Sequence, residues 1–112
     1  MLLLYHNPRC SKSRACLKIL NEKKLKFKEL LYLKEGLPKS SLIDIVDKLI
    51  SPLSNLIRTS EKEFKRLPFD TNDKELIITF LYKFPICMQR PIFFNGNGYV
   101  ICRPPEIVVK YI

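Results

Sequence analysis

Two short apolar runs, Leu2 to Tyr5 and Leu25 to Tyr32, bracket an amphipathic stretch that begins at Ser11. The first run reads as a buried strand, stopped by Asn7 and Pro8, which prepare a turn. Beyond the turn, Cys16, Leu17, Ile19 and Leu20 recur at the spacing of one helix face. The second run begins by alternating, as LKFKE, and then becomes apolar, so it reads as a second strand. Strand, helix and strand in such quick succession form a βαβ unit. That unit demands a parallel pair joined by a right-handed crossover, and it commits the chain to an α/β sheet.

The remainder must fit onto that sheet. Gly36, Pro38 and Ser40 mark a loop and a helix start, and Leu42, Ile45, Val46 and Leu49 give the next helix an apolar face. Pro52 opens a shorter segment, SPLSNLIRT, that ends near Arg58, and a polar stretch follows to Asp70. Asn72 with Glu75 three residues later predicts a capping box. The helix behind it is expected to bury Leu76, Ile77, Phe80, Leu81 and Phe84. Pro91 to Phe94, NGNG, and Tyr99 to Cys102 then read as a β-hairpin. Arg103-Pro104-Pro105-Glu106 opens a final helix, with proline tolerated in its first turn. The order predicts one domain spanning residues 1–112, with a helical insertion at about 38–88 and no repeats or linker.

The 112 residues and their 46% apolar share suit a single core. No apolar run approaches the roughly 20 residues that a membrane span needs. The opening MLLLYHNP is too short for a secretory signal and lacks its basic region and cleavage site, so a cytoplasmic location is expected. Cys10, Cys16, Cys87 and Cys102 form no C-x-x-C pair, and His6 is the sole histidine, which leaves no zinc quartet. The net charge of +9 favours anionic partners. It lacks the basic stripe with interleaved aromatics that nucleic-acid binding prefers. The lysines at 23, 24, 26 and 28 read as a solvated face or, alternatively, as a partner site.

The stretch YHNPRCSKSR, Tyr5 to Arg14, places Cys10 where the first strand hands over to the helix. A helix start offers unpaired backbone N–H groups and a positive dipole end, and both favour a thiolate. Arg9, Lys12 and Arg14 add positive charge, Ser11 and Ser13 are possible donors to the sulfur, and His6 can lie beside it across the turn. The same residues fit a plainer account, in which Cys10 is a small apolar turn residue and His6 lies on the surface. Cys16 and Cys102 fall on apolar faces and read as core, whereas no role follows for Cys87. A lone thiolate cannot easily run a dithiol cycle by itself and suits attack on another molecule, with an outside thiol finishing the reaction. Lysines outnumber arginines 14 to six. Even so, Arg58, Arg90 and Arg103 each stand at the end of an element, where guanidinium forks can hold a tetrahedral oxyanion, or where they are ordinary surface residues.

Taken together, HNPRCSKSR, the arginine of NLIRT, MQRP and ICRPPE resemble the ArsC family of arsenate reductases, the glutaredoxin-coupled type, and within it the short branch. The resemblance runs in order through nearly the whole chain. It implies a thioredoxin-like fold (β-α-β, helical insertion, β-β-α) with a four-stranded mixed sheet. It also implies Cys10 as nucleophile, with His6 and Ser13 supporting the thiolate and Arg58, Arg90 and Arg103 binding arsenate or a similar oxyanion. Pro91 matches the proline that is cis beside the active cysteine in thioredoxin-like proteins, and Asn7 and Arg14 fall close to the site. Glutathione is the implied co-substrate and glutaredoxin the implied partner, with no bound cofactor and no metal. Two other functions stay open: an Spx-like regulator that binds RNA polymerase, and an oxidoreductase of glutathione mixed disulfides. Spx relatives often carry C-x-x-C, and here position 13 is serine.

Overall fold

A computed structural model describes residues 1–112. The strands are β1 (Leu3–Tyr5), β2 (Lys28–Leu30), β3 (Ile92–Phe94) and β4 (Tyr99–Ile101). The helices are α1 (Ser11–Glu22), α2 (Tyr32–Glu35), α3 (Lys39–Asp47), α4 (Lys62–Arg66) and α5 (Lys74–Lys83), with 3-10 turns at Leu53–Leu56, Pro85–Cys87 and Pro105–Tyr111. The sheet runs β2-β1-β3-β4. β1 is parallel to β2, while β3 is antiparallel to both β1 and β4. The chain therefore has the mixed four-stranded sheet of a thioredoxin-like fold. None of its helices is long and apolar enough to cross a membrane.

The alternation of side chains along each strand divides the core in two. Tyr5, Ile92, Tyr99 and Ile101 point to the face covered by α3 and α5, among Leu42, Ile45, Ile77 and Leu81. Leu4, Phe93, Val100 and Cys102 point to the other face, where α1 lays down Cys16 and Leu20 and the C-terminal turn lays down Val108. On α1 the buried positions are Ser13, Cys16 and Leu20, a single i, i+3, i+7 stripe, of which Cys16 and Leu20 lie against this face of the sheet and Ser13 lies under the loop that leaves β1.

Several local expectations are corrected. The second strand ends at Leu30, because Tyr32 begins the one-turn helix α2. That turn closes on itself: the Leu31 N–H donates to the Glu35 carboxylate at 2.8 Å, and Gly36, at φ 88°, follows the last residue. Leu49 lies beyond α3 and makes a parallel bridge to Tyr99 along the outer edge of β4. The cap of α5 is Asp73, whose carboxylate accepts from the Leu76 N–H at 3.1 Å, and not Asn72. Leu76 itself is 45% exposed, since the buried stripe of α5 runs through Ile77, Phe80 and Leu81, one position round the helix. The polar stretch before Asp70 contains α4, and the C-terminal helix is 3-10.

Two closures set the positions of the elements bearing arginines. Ile57 and Met88 form an antiparallel bridge, with the Arg58 N–H donating to the Cys87 carbonyl at 2.7 Å and the Gln89 N–H to that of Leu56 at 2.8 Å. At the far edge, the Ile50 N–H reaches the Tyr99 carbonyl at 2.7 Å and the Tyr99 N–H reaches that of Lys48 at 3.0 Å. Gly98 permits this second approach, since a Cβ there would sit 2.9 Å from the Lys48 carbonyl oxygen. Gly98→Ala must push the 48–50 segment off β4, and it is expected to cost about 1–3 kcal/mol in urea unfolding. A variant as stable as the wild type would show that this contact gives way freely.

Candidate active site

The loop between β1 and α1 winds around Asn7. The Asn7 carbonyl accepts from the Cys10 N–H at 3.0 Å, and its side-chain oxygen accepts from the Arg9 N–H at 3.1 Å. Arg14 lies on the exposed side of α1 and clamps the loop from outside, its Nη1 donating to the Pro8 carbonyl at 2.9 Å. Cys10 falls at the N-cap of α1 in an extended conformation, φ −94° and ψ 122°. Its sulfur thus faces the open N–H groups of the first helical turn.

Opposing influences act on that sulfur. Burial pushes the thiol up, while the Ser13 N–H, the Arg90 guanidinium, the Lys12 N–H and the Arg103 guanidinium pull it down. The net result lies below the ordinary 9.0. Arg103 Nη1 is 3.9 Å from Sγ and also donates to the Arg90 carbonyl at 3.0 Å, which ties the end of β4 to the segment before β3. The Arg90–Pro91 peptide bond is cis, and so is Arg103–Pro104, which the sequence reading did not anticipate.

The Ser13 hydroxyl does not turn to the sulfur. It accepts from the Asn7 N–H at 3.0 Å and lies 2.6 Å from His6 Nδ1. Burial holds His6 below its usual pKa, with Glu29 pulling it up and Arg14 pushing it down. Its Nε2 faces the Glu29 carboxylate at 3.9 Å. A neutral ring with Nε2 protonated satisfies both ends: Ser13 donates to Nδ1, and Nε2–H points to Glu29. His6 and Ser13 therefore brace the loop beneath Cys10, and the direct gift of Ser13 to the sulfur is its backbone N–H.

The three arginines are not equivalent. Arg90 is nine-tenths buried, donates from Nη1 to the Ile86 carbonyl at 3.1 Å, and approaches the sulfur. Arg103 touches the sulfur directly. Arg58 sits further back, its Nε donating to Glu61 at 3.2 Å and its Nη1 to the Gln89 side-chain oxygen at 2.8 Å. A cavity of about 580 Å³ opens beside the loop, lined in part by His6, Asn7, Arg9, Lys34 and Arg90. The lysines at 23, 24, 26 and 28 are all exposed, away from this cavity's lining.

The other cysteines contrast with Cys10. Burial pushes the Cys87 thiol up to about 11, with Glu63 and Glu61 adding to the effect. The contact with Cys16, followed by burial, raises that of Cys102. All four are free thiols, and Cys16, Cys87 and Cys102 are buried. Iodoacetamide at neutral pH is expected to label Cys10 first, as mapped by mass spectrometry. Because only the thiolate reacts, the rate should climb with pH and reach half its maximum below pH 9.0. Equal labelling of all four cysteines would contradict the electrostatics.

A thioredoxin-like sheet that carries one thiol of lowered pKa at the first βα junction, beside two guanidinium groups, defines the class of fold and site to which the chain belongs. The ArsC family model matches residues 5–111, and the chain belongs to the ArsC family. It is 33% identical to an arsenate reductase of Haemophilus influenzae, covering 99% of this chain and 98% of that one. It is 31% identical to an arsenate reductase of Neisseria meningitidis serogroup A, over 92% and 91% of the two chains. In fold it superposes on an arsenate reductase from Vibrio cholerae with a TM-score of 0.88 and 24% identity, covering 99% and 97%.

Proposed function

We propose that the protein reduces arsenate, or an oxyanion of the same shape, with Cys10 as nucleophile and glutathione and glutaredoxin as the electron supply. The observation that carries this reading is the pair of guanidinium groups, Arg90 and Arg103, set beside a thiol whose pKa they help to lower. A dianion approaching a thiolate is repelled unless strong positive charge stands between them, and planar forks provide it with direction. Arg58 adds long-range charge and, through Gln89, steadies the residue next to Arg90.

In this reaction the Cys10 thiolate forms a sulfur–arsenic bond and an arsenate oxygen, once protonated, leaves as water. A glutathione thiol then attacks the adduct. Over the cycle two electrons pass from two thiols to arsenic, which departs as arsenite, and a disulfide remains. Glutaredoxin resolves the mixed disulfide that the cycle leaves. Asn7, His6, Ser13 and Arg14 hold the loop, and Pro91 shapes the strand entry beside it. The test is arsenite formation by the wild-type protein with glutathione and glutaredoxin, run against reduction of a glutathione mixed disulfide without arsenate. Turnover of the mixed disulfide alone would make the chain a thiol–disulfide oxidoreductase. Inactivity in both assays, with capture of RNA polymerase, would favour the regulator.

A further inference from the structure

Arg90 lines the cavity beside the β1–α1 loop, and Arg103 lines a different one, of about 490 Å³. The two cavities share no lining residue. The second reaches the nucleophile through Arg103, whose Nη1 lies 3.9 Å from Cys10 Sγ. Their chemistry differs. The first gathers the cations Arg9, Lys34 and Arg90. In the second Arg103 is the sole charged residue, and Ser54, Asn55, Thr59 and Gln89 bring hydroxyl and amide groups. One cavity suits an anion, and the other suits a neutral framework of donors and acceptors.

Ile57 and Gln89, both in the lining of the second cavity, carry an open acceptor and an open donor. Ile57 faces Met88 across a bridge whose two hydrogen bonds belong to the flanking residues, Arg58 to Cys87 and Gln89 to Leu56. Residues opposed in that way turn their own backbone groups outward, away from the partner strand. The Ile57 carbonyl accepts no hydrogen bond in the protein although the residue is buried, a condition that calls for a donor. Gln89 supplies the converse. Arg58 holds its side-chain oxygen at 2.8 Å, which leaves the NH2 free to donate. An acceptor on one strand of the bridge and a donor on the other match the N–H and C=O of a peptide unit.

We propose that this second cavity binds the backbone of the small peptide thiol that serves as co-substrate, glutathione. One of its peptide units donates N–H to the Ile57 carbonyl and accepts from the Gln89 side-chain NH2, and its thiol is directed past Arg103 towards Cys10. This rests on the oxyanion reading of the site, which requires an outside thiol, and it gives that thiol a place apart from the anion. Separate cavities let the two be held at one nucleophile at the same time. The volume falls within the roughly 300–1,000 Å³ of small-ligand sites.

The test titrates the full, isotope-labelled chain with S-methylglutathione, whose peptide is intact and whose blocked sulfur cannot exchange with Cys10. In nuclear magnetic resonance spectra, the Ile57 carbonyl carbon and the Gln89 side-chain NH2 are expected to shift and saturate together. Movement confined to His6, Asn7 and Lys34, or no saturable movement, overturns the inference. Asn55 is exposed at the rim of the cavity, so Asn55→Trp lays a ring across the opening. That variant is expected to need about tenfold or more S-methylglutathione for the same shifts, and to raise the KM for glutathione alike with kcat unchanged, the mark of lost binding. Unaltered binding in Asn55→Trp would count as refutation. Protection of Cys10 by arsenate against iodoacetamide reads the anion site separately. Protection without Ile57 shifts sinks this inference and leaves the oxyanion reading standing. Ile57 shifts without protection keep the peptide cavity and sink the oxyanion reading.

Discussion

Cys10→Ser is expected to lose arsenate reduction by on the order of a thousandfold or more, while the fold becomes slightly firmer. The loss follows from the atom. The groups around position 10 stabilise a sulfur anion, and a serine hydroxyl stays protonated in the same surroundings and forms no comparable adduct with arsenic. The gain follows from position. Cys10 is the N-cap of α1 and makes no side-chain cap hydrogen bond. Serine is among the best residues there, and its oxygen can accept from the Ser13 N–H, worth up to about 1 kcal/mol. Opposite signs in activity and stability are the signature of a residue retained for chemistry. Parallel assays of arsenite formation and urea unfolding read both. A variant that keeps a tenth of the wild-type rate would move the nucleophile elsewhere.

Arg103→Ala carries the second largest expected effect, a fall in kcat/KM for arsenate of about a hundredfold or more. The side chain acts at two points. At 3.9 Å from Sγ it favours the thiolate, so its removal should move the pH dependence of Cys10 alkylation upward. Its bond to the Arg90 carbonyl fixes where the neighbouring fork lies, so the variant disturbs both donors. Arg103→Lys should recover little of the rate, because an ammonium keeps charge without the planar pair of donors. Arg90→Ala belongs in the same range. Arg58→Ala should cost less, since its guanidinium is shared with Glu61 and Gln89. Equal losses at all three positions would mean that Arg58 swings free of those partners to grip the anion.

What the sequence disclosed was periodicity and junctions. The hairpin was legible because NGNG separates two apolar runs, and the structure forms β3 and β4 there; which residue faces which side, Ile92 and Ile101 against Phe93 and Val100, came from the structure. The βα junction at Cys10 was legible because Asn7-Pro8 breaks a strand just before a helical stripe begins. Failures came where a residue's fate depends on a distant segment. Leu49 fits the face of α3 by spacing, yet the edge of β4 claims its backbone. Asn72 and Asp73 are both sound caps, and the choice falls to whichever lets Ile77, Phe80 and Leu81 meet α3. Ser13 looked like a donor to sulfur until His6 and Asn7, both buried, took its hydroxyl.

The bridge between Ile57 and Met88 has a consequence for how such a chain can change. It pinches the polypeptide shut beside Arg58 and just before Arg90, so α4 and its flanking turns hang from a stem closed at this bridge, while α5 within the same loop packs into the core. The entropy of closing that stem grows only slowly with what hangs from it, about 0.6 kcal/mol for each doubling of length. The polar turns on either side of α4 are therefore a place where residues can be gained or shed while the two arginines keep their spacing. Architecture of this kind separates the part of a protein that drifts from the part that works.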